Sequence, residues 1–153
     1  MPHKKCITHR VRLALTLLMA LLAGACTDFE SFTSNVSARL EFSTDTVAFD
    51  TIVSTVPSAT RTLIAYNRNR DGLRIASVQL AAGAASHFRV NVDGEWLPAG
   101  KGEDFKVYHK DSIIVRLEVT VPKVGSNEVG VISDILRFRL ESGLVQEVVL
   151  TAG

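Results

Sequence analysis

The chain has 153 residues, of which 46% are hydrophobic and 22% charged, with 17 basic and 16 acidic side chains. The first 25 residues hold four of the basic residues and none of the acidic ones, so they carry +4 and the remaining 128 carry −3. A mildly acidic body of that size forms one domain with its own core, which excludes a catalytic domain joined to a recognition domain. It also excludes nucleic-acid binding driven by a basic field, so no nucleic-acid partner is expected.

Residues 1–25 have the pattern of an export signal. The segment up to Arg12 is basic, and residues 13–25 form a run of thirteen in which only Thr16 is polar. A permanent transmembrane helix needs roughly 18 to 20 apolar residues, whereas a run of this length suits the helical apolar region of a signal peptide. The run ends in small residues, Ala23, Gly24 and Ala25, directly before Cys26.

This ending resembles the lipobox of bacterial lipoproteins, with Ala23 where leucine is usual. The resemblance implies cleavage before Cys26, a diacylglycerol on its thiol and a fatty acid such as palmitate on its new amino group. Cys6 lies in the segment to be removed, so Cys26 would be left without a disulfide partner. Several acyl chains, at about 0.8 kcal/mol per buried methylene, attach a protein to a membrane without a spanning helix.

The residues after Cys26 indicate the membrane. Thr27 stands where aspartate signals retention in the inner membrane of well-studied lipoproteins, which favours the outer membrane. Asp28 and Glu30 resemble the acidic surface-export signals of Bacteroidota lipoproteins, and the periplasmic and surface faces both stay open. Residues 26–37 are polar and predict a short tether, followed by a domain over 38–153.

The domain is predicted to consist of strands. The clearest is 112–121, where Ile113, Val115 and Leu117 alternate with polar residues, as a half-buried strand requires. Segments 88–92 and 136–141 repeat this pattern, and a change of parity after Ile75 predicts a bulge near Ala76 and Ser77. Residues 38–42 and 47–49 are predicted to form one interrupted strand. Further strands are predicted at 60–67, 105–109 and 144–151.

Turn residues separate these strands. The turns are Asp71-Gly72, Asp93-Gly94, residues 98–102, residues 124–127 and Ser142-Gly143, the last predicted as a tight hairpin. Seven to nine short antiparallel strands with no helical segment predict an all-β, immunoglobulin-like sandwich of two sheets, with a closed barrel as the structural alternative.

An ordered set of segments carries a family resemblance. These segments are residues 42–51, 65–69, 73–75, 88–94 and 111–113. Together they resemble an immunoglobulin-like module of Bacteroidota lipoproteins, akin to the modules called ASPM/SPD-2/Hydin-like, over residues 40–152. In such relatives the module often follows the lipobox and precedes a larger domain, commonly a right-handed parallel β-helix. The resemblance therefore implies either a stand-alone module or the N-terminal piece of a longer protein.

Little in the chain points to catalysis. After the signal segment the histidines are His87 and His109, without the spacing of a metal site, and no nucleophile motif or phosphate loop occurs. We therefore expect no enzyme, metal or cofactor.

Several exposed side chains are candidates for ligand contact. Arg116, Arg137 and Arg139 are expected on outward strand faces, either to bind a polyanion such as lipopolysaccharide or, as we favour, to pair with Glu118, Glu141 and Glu147. Trp96 is either an exposed platform for sugar or protein or, as is commoner, a cap on the end of the core.

Three short motifs, Asp45-Thr46-Val47, Asp50-Thr51-Ile52 and Asp111-Ser112-Ile113, resemble O-glycosylation acceptors of exported Bacteroidota proteins. Candidate sites are thus Thr46, Thr51 and Ser112.

Taken together, the sequence predicts a non-catalytic lipoprotein module of the outer membrane or cell surface. Its role would be adhesion, envelope assembly or protein interaction, with the membrane bound through Cys26 and a protein or glycan as partner. The alternative is a carbohydrate-associated module, or a spacer ahead of a β-helix that acts on polysaccharide.

Overall fold

A computed structural model describes residues 30–50, 58–120 and 131–153. The described residues form ten strands and two 3-10 turns. The strands are β1 Glu41–Phe42, β2 Thr46–Phe49, β3 Arg61–Tyr66, β4 Leu73–Leu80, β5 Phe88–Val92, β6 Glu95–Trp96, β7 Lys101–Val107, β8 Ser112–Val119, β9 Ile132–Leu140 and β10 Val145–Ala152. The 3-10 turns are Gly83–Ala85 and Pro98–Gly100. The predicted signal helix and the turn predicted at 124–127 lie outside the described residues.

The strands form two five-stranded sheets. The first sheet has the order β1-β3-β8-β5-β6 and the second the order β2-β10-β9-β4-β7. All pairings of these strands are antiparallel except that of β2 with β10, which is parallel. The predicted all-β fold of two sheets is confirmed. The described ranges contain ten strands rather than seven to nine, since two-residue strands such as β6 are defined by their pairing and leave no periodic pattern.

The core lies between the sheets and is built by the predicted alternation. In β8, Ile113 is 3% exposed and Val115, Leu117 and Val119 are fully buried, while Arg116 points outward. Phe138 in β9 is fully buried, with its ring centroid 4.8 Å from that of Phe42 in the opposite sheet. Full burial of such a side chain contributes about 1.5–3 kcal/mol, so apolar residues on alternate positions hold the two sheets together.

Two local predictions about turns and bulges are confirmed. The register between β4 and β9 shifts between Ile75 and Ser77, so Ala76 is the extra residue of a bulge. Ser142 and Gly143 lie in the tight connection from β9 to β10, and Gly143 has a φ of 88° that favours glycine. The strand predicted at 105–109 instead spans Lys101–Val107, because pairing with β4 extends through residues that were predicted as a turn.

The sandwich has two distinct ends. The entry end is formed by the connections β3–β4, β7–β8 and β9–β10, and Phe32 pairs there with Gly72 in an isolated bridge. The far end is formed by the connections β4–β5 and β6–β7 and by the end of β10 at Ala152. The described N-terminal residues therefore meet the sandwich at the end opposite to Gly153.

Part of the segment predicted as a tether packs against this entry end. Thr33 donates its N–H to the carbonyl of Gly72 (3.0 Å), and Gly72 donates to Ser31 (2.7 Å). The Phe32 ring lies between Tyr108, at 5.7 Å between centroids, and the Arg74 guanidinium, at 4.8 Å. Residues 31–33 are thus held by the domain that was expected to begin at residue 38.

Candidate binding site

Two of the predicted ligand-contact residues lie on the outer face of the first sheet. Arg116 in β8 is directly opposite Asn91 in β5, and Asn91 is directly opposite Trp96 in β6. Directly opposed residues share one face of a sheet, and neighbouring strands are about 4.8 Å apart, so the Cα atoms of Arg116 and Trp96 lie about 10 Å apart. Arg137 and Arg139 lie on β9 in the second sheet, facing outward on the other side of the molecule.

Trp96 is an exposed aromatic residue rather than a cap on the core. It is 43% exposed, whereas the next residue, Leu97, is 7% exposed and points inward. The difference arises from the hairpin between β5 and β6, whose turn residues Asp93 and Gly94 both have positive φ (50° and 93°). Such a two-residue turn sets the register that places Trp96 on the outer face. The expectation that Trp96 covers the core end was wrong, because Leu97 occupies that position.

Arg89 holds the Trp96 ring. Its guanidinium lies 4.6 Å from the ring centroid, a cation–π contact worth about 0.5–1 kcal/mol at an exposed position. Arg89 also lies 3.9 Å from a carboxylate oxygen of Glu118. The alternation over 88–92 predicts an outward face for Arg89, but the contact with Trp96 depends on the pairing of β5 with β6, which alternation alone does not reveal.

A depression of about 400 Å³ lies beside Trp96 at the far end of the sandwich. The groups around it include the indole of Trp96, the ring of Pro98 and the guanidinium of Arg89. The residues that line the depression are Gly83, Ala84, Ser86, Phe88, Arg89, Trp96, Leu97, Pro98, Ala99 and Gly100. The volume falls within the range of about 300–1,000 Å³ that is usual for small-ligand sites.

A buried carboxylate fixes one wall of the depression. Asp134 is 8% exposed and accepts hydrogen bonds from the Ser86 hydroxyl (2.6 Å) and from the backbone N–H groups of Ala82 (3.2 Å) and Ile135 (2.7 Å). A buried charge is stable only when it is hydrogen-bonded in this way. Asp134 therefore positions the connection from β4 to β5, and the Ser86 hydroxyl already has a partner.

The other wall depends on a glycine. Gly100 is buried with a φ of 71°, and a Cβ placed on it would lie 3.1 Å from the Gly83 carbonyl oxygen and 3.0 Å from the Leu80 side chain. Glycine is the residue that accepts both the left-handed conformation and the close approach. The two 3-10 turns consequently sit against each other beside Trp96.

The predicted arginine–glutamate pairs form only in part. Arg137 pairs with Glu147 at 2.8 Å, as expected. Glu118 contacts Arg89 and Glu141 contacts Arg74 at 3.8 Å, so neither of these glutamates pairs with one of the three predicted arginines. Among the described residues, Arg116 and Arg139 have no carboxylate within 4.0 Å.

The remaining candidates are scattered. Thr46 is exposed at the start of β2, and Ser112 is half-buried at the start of β8. Thr51 and Cys26 lie outside the described residues. His109 contacts the carbonyl of Asn69 through Nδ1 (2.8 Å). Within 30–50, 58–120 and 131–153, no three His, Cys, Asp or Glu side chains are grouped to hold a metal ion, and no helix is long and apolar enough to cross a bilayer.

Many solved structures resemble this chain, and three of them illustrate the likeness. A protein of unknown function from Porphyromonas gingivalis W83 is 14% identical, with a TM-score of 0.55 over 84% of this chain and 50% of that one. The ASH/PapD-like domain 7 of human CEP192 is 10% identical, with a TM-score of 0.51 over 84% and 93%. The periplasmic chaperone SfaE is 11% identical, with a TM-score of 0.50 over 74% and 56%.

These neighbours establish the fold. The chain is an immunoglobulin-like β-sandwich. It spans about half of the length of the Porphyromonas protein and of the chaperone, and nearly all of the CEP192 domain. No family model and no curated protein sequence matches the chain. Of the predicted family resemblance, the immunoglobulin-like fold is thus confirmed.

Proposed function

We propose that this chain is a non-catalytic lipoprotein module of a Bacteroidota-type outer membrane, anchored through Cys26, that binds a partner at its far end. The signal-like segment, the lipobox resemblance and the lone cysteine after it support the anchor. A concave surface site on a sandwich of two well-packed sheets supports a binding role in adhesion, envelope assembly or protein interaction.

The separation of the two ends carries this proposal. Glu30 lies at the entry end, where its carboxylate accepts a hydrogen bond from the backbone N–H of His109 (2.6 Å). Glu30 follows Cys26 by four positions, and an extended chain spans at most about 3.6 Å per residue, so an acylated Cys26 stays within about 14 Å of that end. The entry end would face the membrane, and the depression beside Trp96 would face away from it.

The anchor is tested by replacing the cysteine in the native host. We expect the wild-type protein in the membrane fraction, with the mass of residues 26–153 plus acyl groups. Cys26→Ser should abolish the acyl mass, because the thiol that receives the diacylglycerol is gone, and any variant protein that has still lost residues 1–25 should appear in the soluble fraction, because no acyl chain remains to hold it. Fractionation and intact mass spectrometry measure both effects.

Cys6→Ser is the matched control, since Cys6 is the other cysteine of the chain and lies in the segment to be cleaved. It should leave the acylation and the membrane location unchanged. A wild-type protein recovered uncut and without fatty acids, or a Cys26→Ser protein that keeps its acyl mass, would refute the anchor.

A further inference from the structure

Trp96 is the single tryptophan of the chain and lies on the surface, whereas most of the other large apolar residues that the structure describes are buried. Its ring is nevertheless held in place by Arg89 on the surface. An exposed but oriented indole is a feature of a contact surface rather than of a core.

The chemistry of the depression favours a ring with one apolar face and a polar rim. The indole, over one face of which Arg89 lies at 4.6 Å, and the Pro98 ring offer apolar contact, and Arg89 offers N–H donors at the same site. A pyranose sugar has this distribution, since its axial C–H groups form an apolar face and its hydroxyl groups lie around the edge. C–H groups are attracted to the negative face of an aromatic ring.

A donor and an acceptor lie next to each other on the outer face of the first sheet, beside the depression. Arg89 donates, and the Glu118 carboxylate, 22% exposed, lies 3.9 Å from Arg89 on β8, outside the lining of the depression. Sugar hydroxyls both donate and accept, so neighbouring groups of opposite type suit them. Arg116, on the same face and without a carboxylate partner among the described residues, extends the donor surface beyond Asn91.

A peptide that adds a strand is a poorer fit to this region. β6 has two residues, which is too short an edge to template a further strand. The nearby edge strand β7 carries Lys101, Glu103 and Lys106, and Asp104 within it has a φ of 60°. Charged side chains and irregular backbone are the features that prevent strand addition at an edge.

We propose that the depression beside Trp96 binds a pyranose ring of a glycan, with the indole as platform and Arg89 as hydrogen-bond donor. This inference names the ligand class of the binding role proposed above, and it is independent of the lipid anchor. It is therefore tested on protein purified from whichever cell fraction contains it.

The test uses the intrinsic fluorescence of Trp96, excited at a wavelength that the tyrosines do not absorb. An array of neutral and uronic-acid-containing oligosaccharides identifies the probe, and titration with that oligosaccharide should give a saturable change in Trp96 emission. In calorimetric titration, Trp96→Ala should weaken binding by about tenfold or more and Arg89→Ala by about tenfold. Trp96→Phe should retain part of the affinity, because an aromatic face remains.

Arg139→Ala is the matched control, because Arg139 is exposed on the outer face of the other sheet and likewise lacks a carboxylate partner among the described residues. It should leave the affinity unchanged, and thermal unfolding should show that every variant is folded. Absence of binding across the array, equal affinity of folded Trp96→Ala, or Trp96-dependent binding of a protein in place of any glycan would overturn the proposal.

Discussion

At the scale of single residues, one buried amide organises the entry end of the sandwich. Asn67 is fully buried, and its Nδ2 group donates to the carbonyls of Asp71 (2.9 Å), Val107 (3.0 Å) and Tyr108 (3.0 Å). Its Oδ1 accepts from the backbone N–H (2.9 Å) and the side-chain amide (2.8 Å) of Asn69. The two hydrogens of Nδ2 are donated to three carbonyls, so one hydrogen is shared between two of them. One side chain thereby ties the β3–β4 connection to the β7–β8 connection.

Asn67→Ala should lower the free energy of unfolding by about 3 kcal/mol, because several backbone groups lose their partner inside the protein. Urea denaturation monitored by circular dichroism measures the loss. Asn35→Ala is the control: Asn35 is exposed and accepts a hydrogen bond from the Ser37 N–H (2.9 Å), so its replacement should cost less than about 1 kcal/mol. Equal losses in the two variants would contradict the role given to Asn67.

A second residue-scale effect concerns charge. Lys101 Nζ lies 2.6 Å from Glu103 Oε1, and the hydrogen bond and positive charge of Lys101 hold the pKa of Glu103 below its ordinary value of 4.5. A carboxyl group whose pKa is lower in the folded state stabilises that state above its unfolded pKa. The contribution is lost as the pH falls through the folded pKa.

Titration followed by NMR of the Glu103 side-chain carboxyl carbon should therefore give a midpoint below pH 4.5. Lys101→Met keeps the length of the side chain but removes its charge and donors, and should return the midpoint to the ordinary value. Added salt should reduce the difference, since both side chains are exposed. An unchanged midpoint in the Lys101→Met protein would show that another group sets this pKa.

At the scale of elements, the segment before β1 is held by side-chain packing at the entry end. A Cβ added to Gly72 would lie 2.8 Å from two ring atoms of Phe32, which is too close for either to remain in place. Gly72 is thus the position at which the Phe32 ring meets the backbone, between Arg74 and Tyr108. This contact bears directly on the proposed orientation, because it fixes the chain at Phe32, six positions after Cys26.

Gly72→Ala should destabilise the protein by about 1–3 kcal/mol through overpacking against the ring. In a Phe32→Ala background the same substitution should cost close to nothing, because the atoms that it meets are gone. Chemical denaturation of the two single variants and the double variant gives the coupling energy. Additive losses would show that Phe32 does not pack on Gly72.

At the scale of the whole molecule, the chain changes sheets early. β1 pairs with β3 in the first sheet, and β2, which follows after three residues, pairs with β10 in the second. The chain thus crosses one side of the sandwich between Phe42 and Thr46, while Leu97 fills the opposite side against Gly102. The chain therefore joins the edges of the two sheets on both sides of the sandwich. The proposed anchor and the proposed glycan site lie at opposite ends, because Glu30 contacts the β7–β8 connection and the depression is lined by the β4–β5 and β6–β7 connections.

Local patterns in the sequence determined the strands and part of their detail. Alternation identified β5, β8 and β9 and which of their residues face the core, because successive side chains of a strand point to opposite faces. The parity change near Ala76 located the bulge of β4, and Asp93-Gly94 and Ser142-Gly143 marked hairpins. The export signal and the lipobox resemblance are likewise readable from residues 1–26 alone and remain predictions.

Only the tertiary structure decided which strands pair and which surface residues meet. The parallel pairing of β2 with β10, the start of β7 at Lys101 and the inward position of Leu97 all depend on partners distant in sequence. The pairing of distant strands also brings Arg89 to the Trp96 ring and places Arg116 and Arg139 on the outer faces of different sheets. Periodicity tells which side of its own strand a residue occupies, but long-range hydrogen bonding and packing determine where that strand lies.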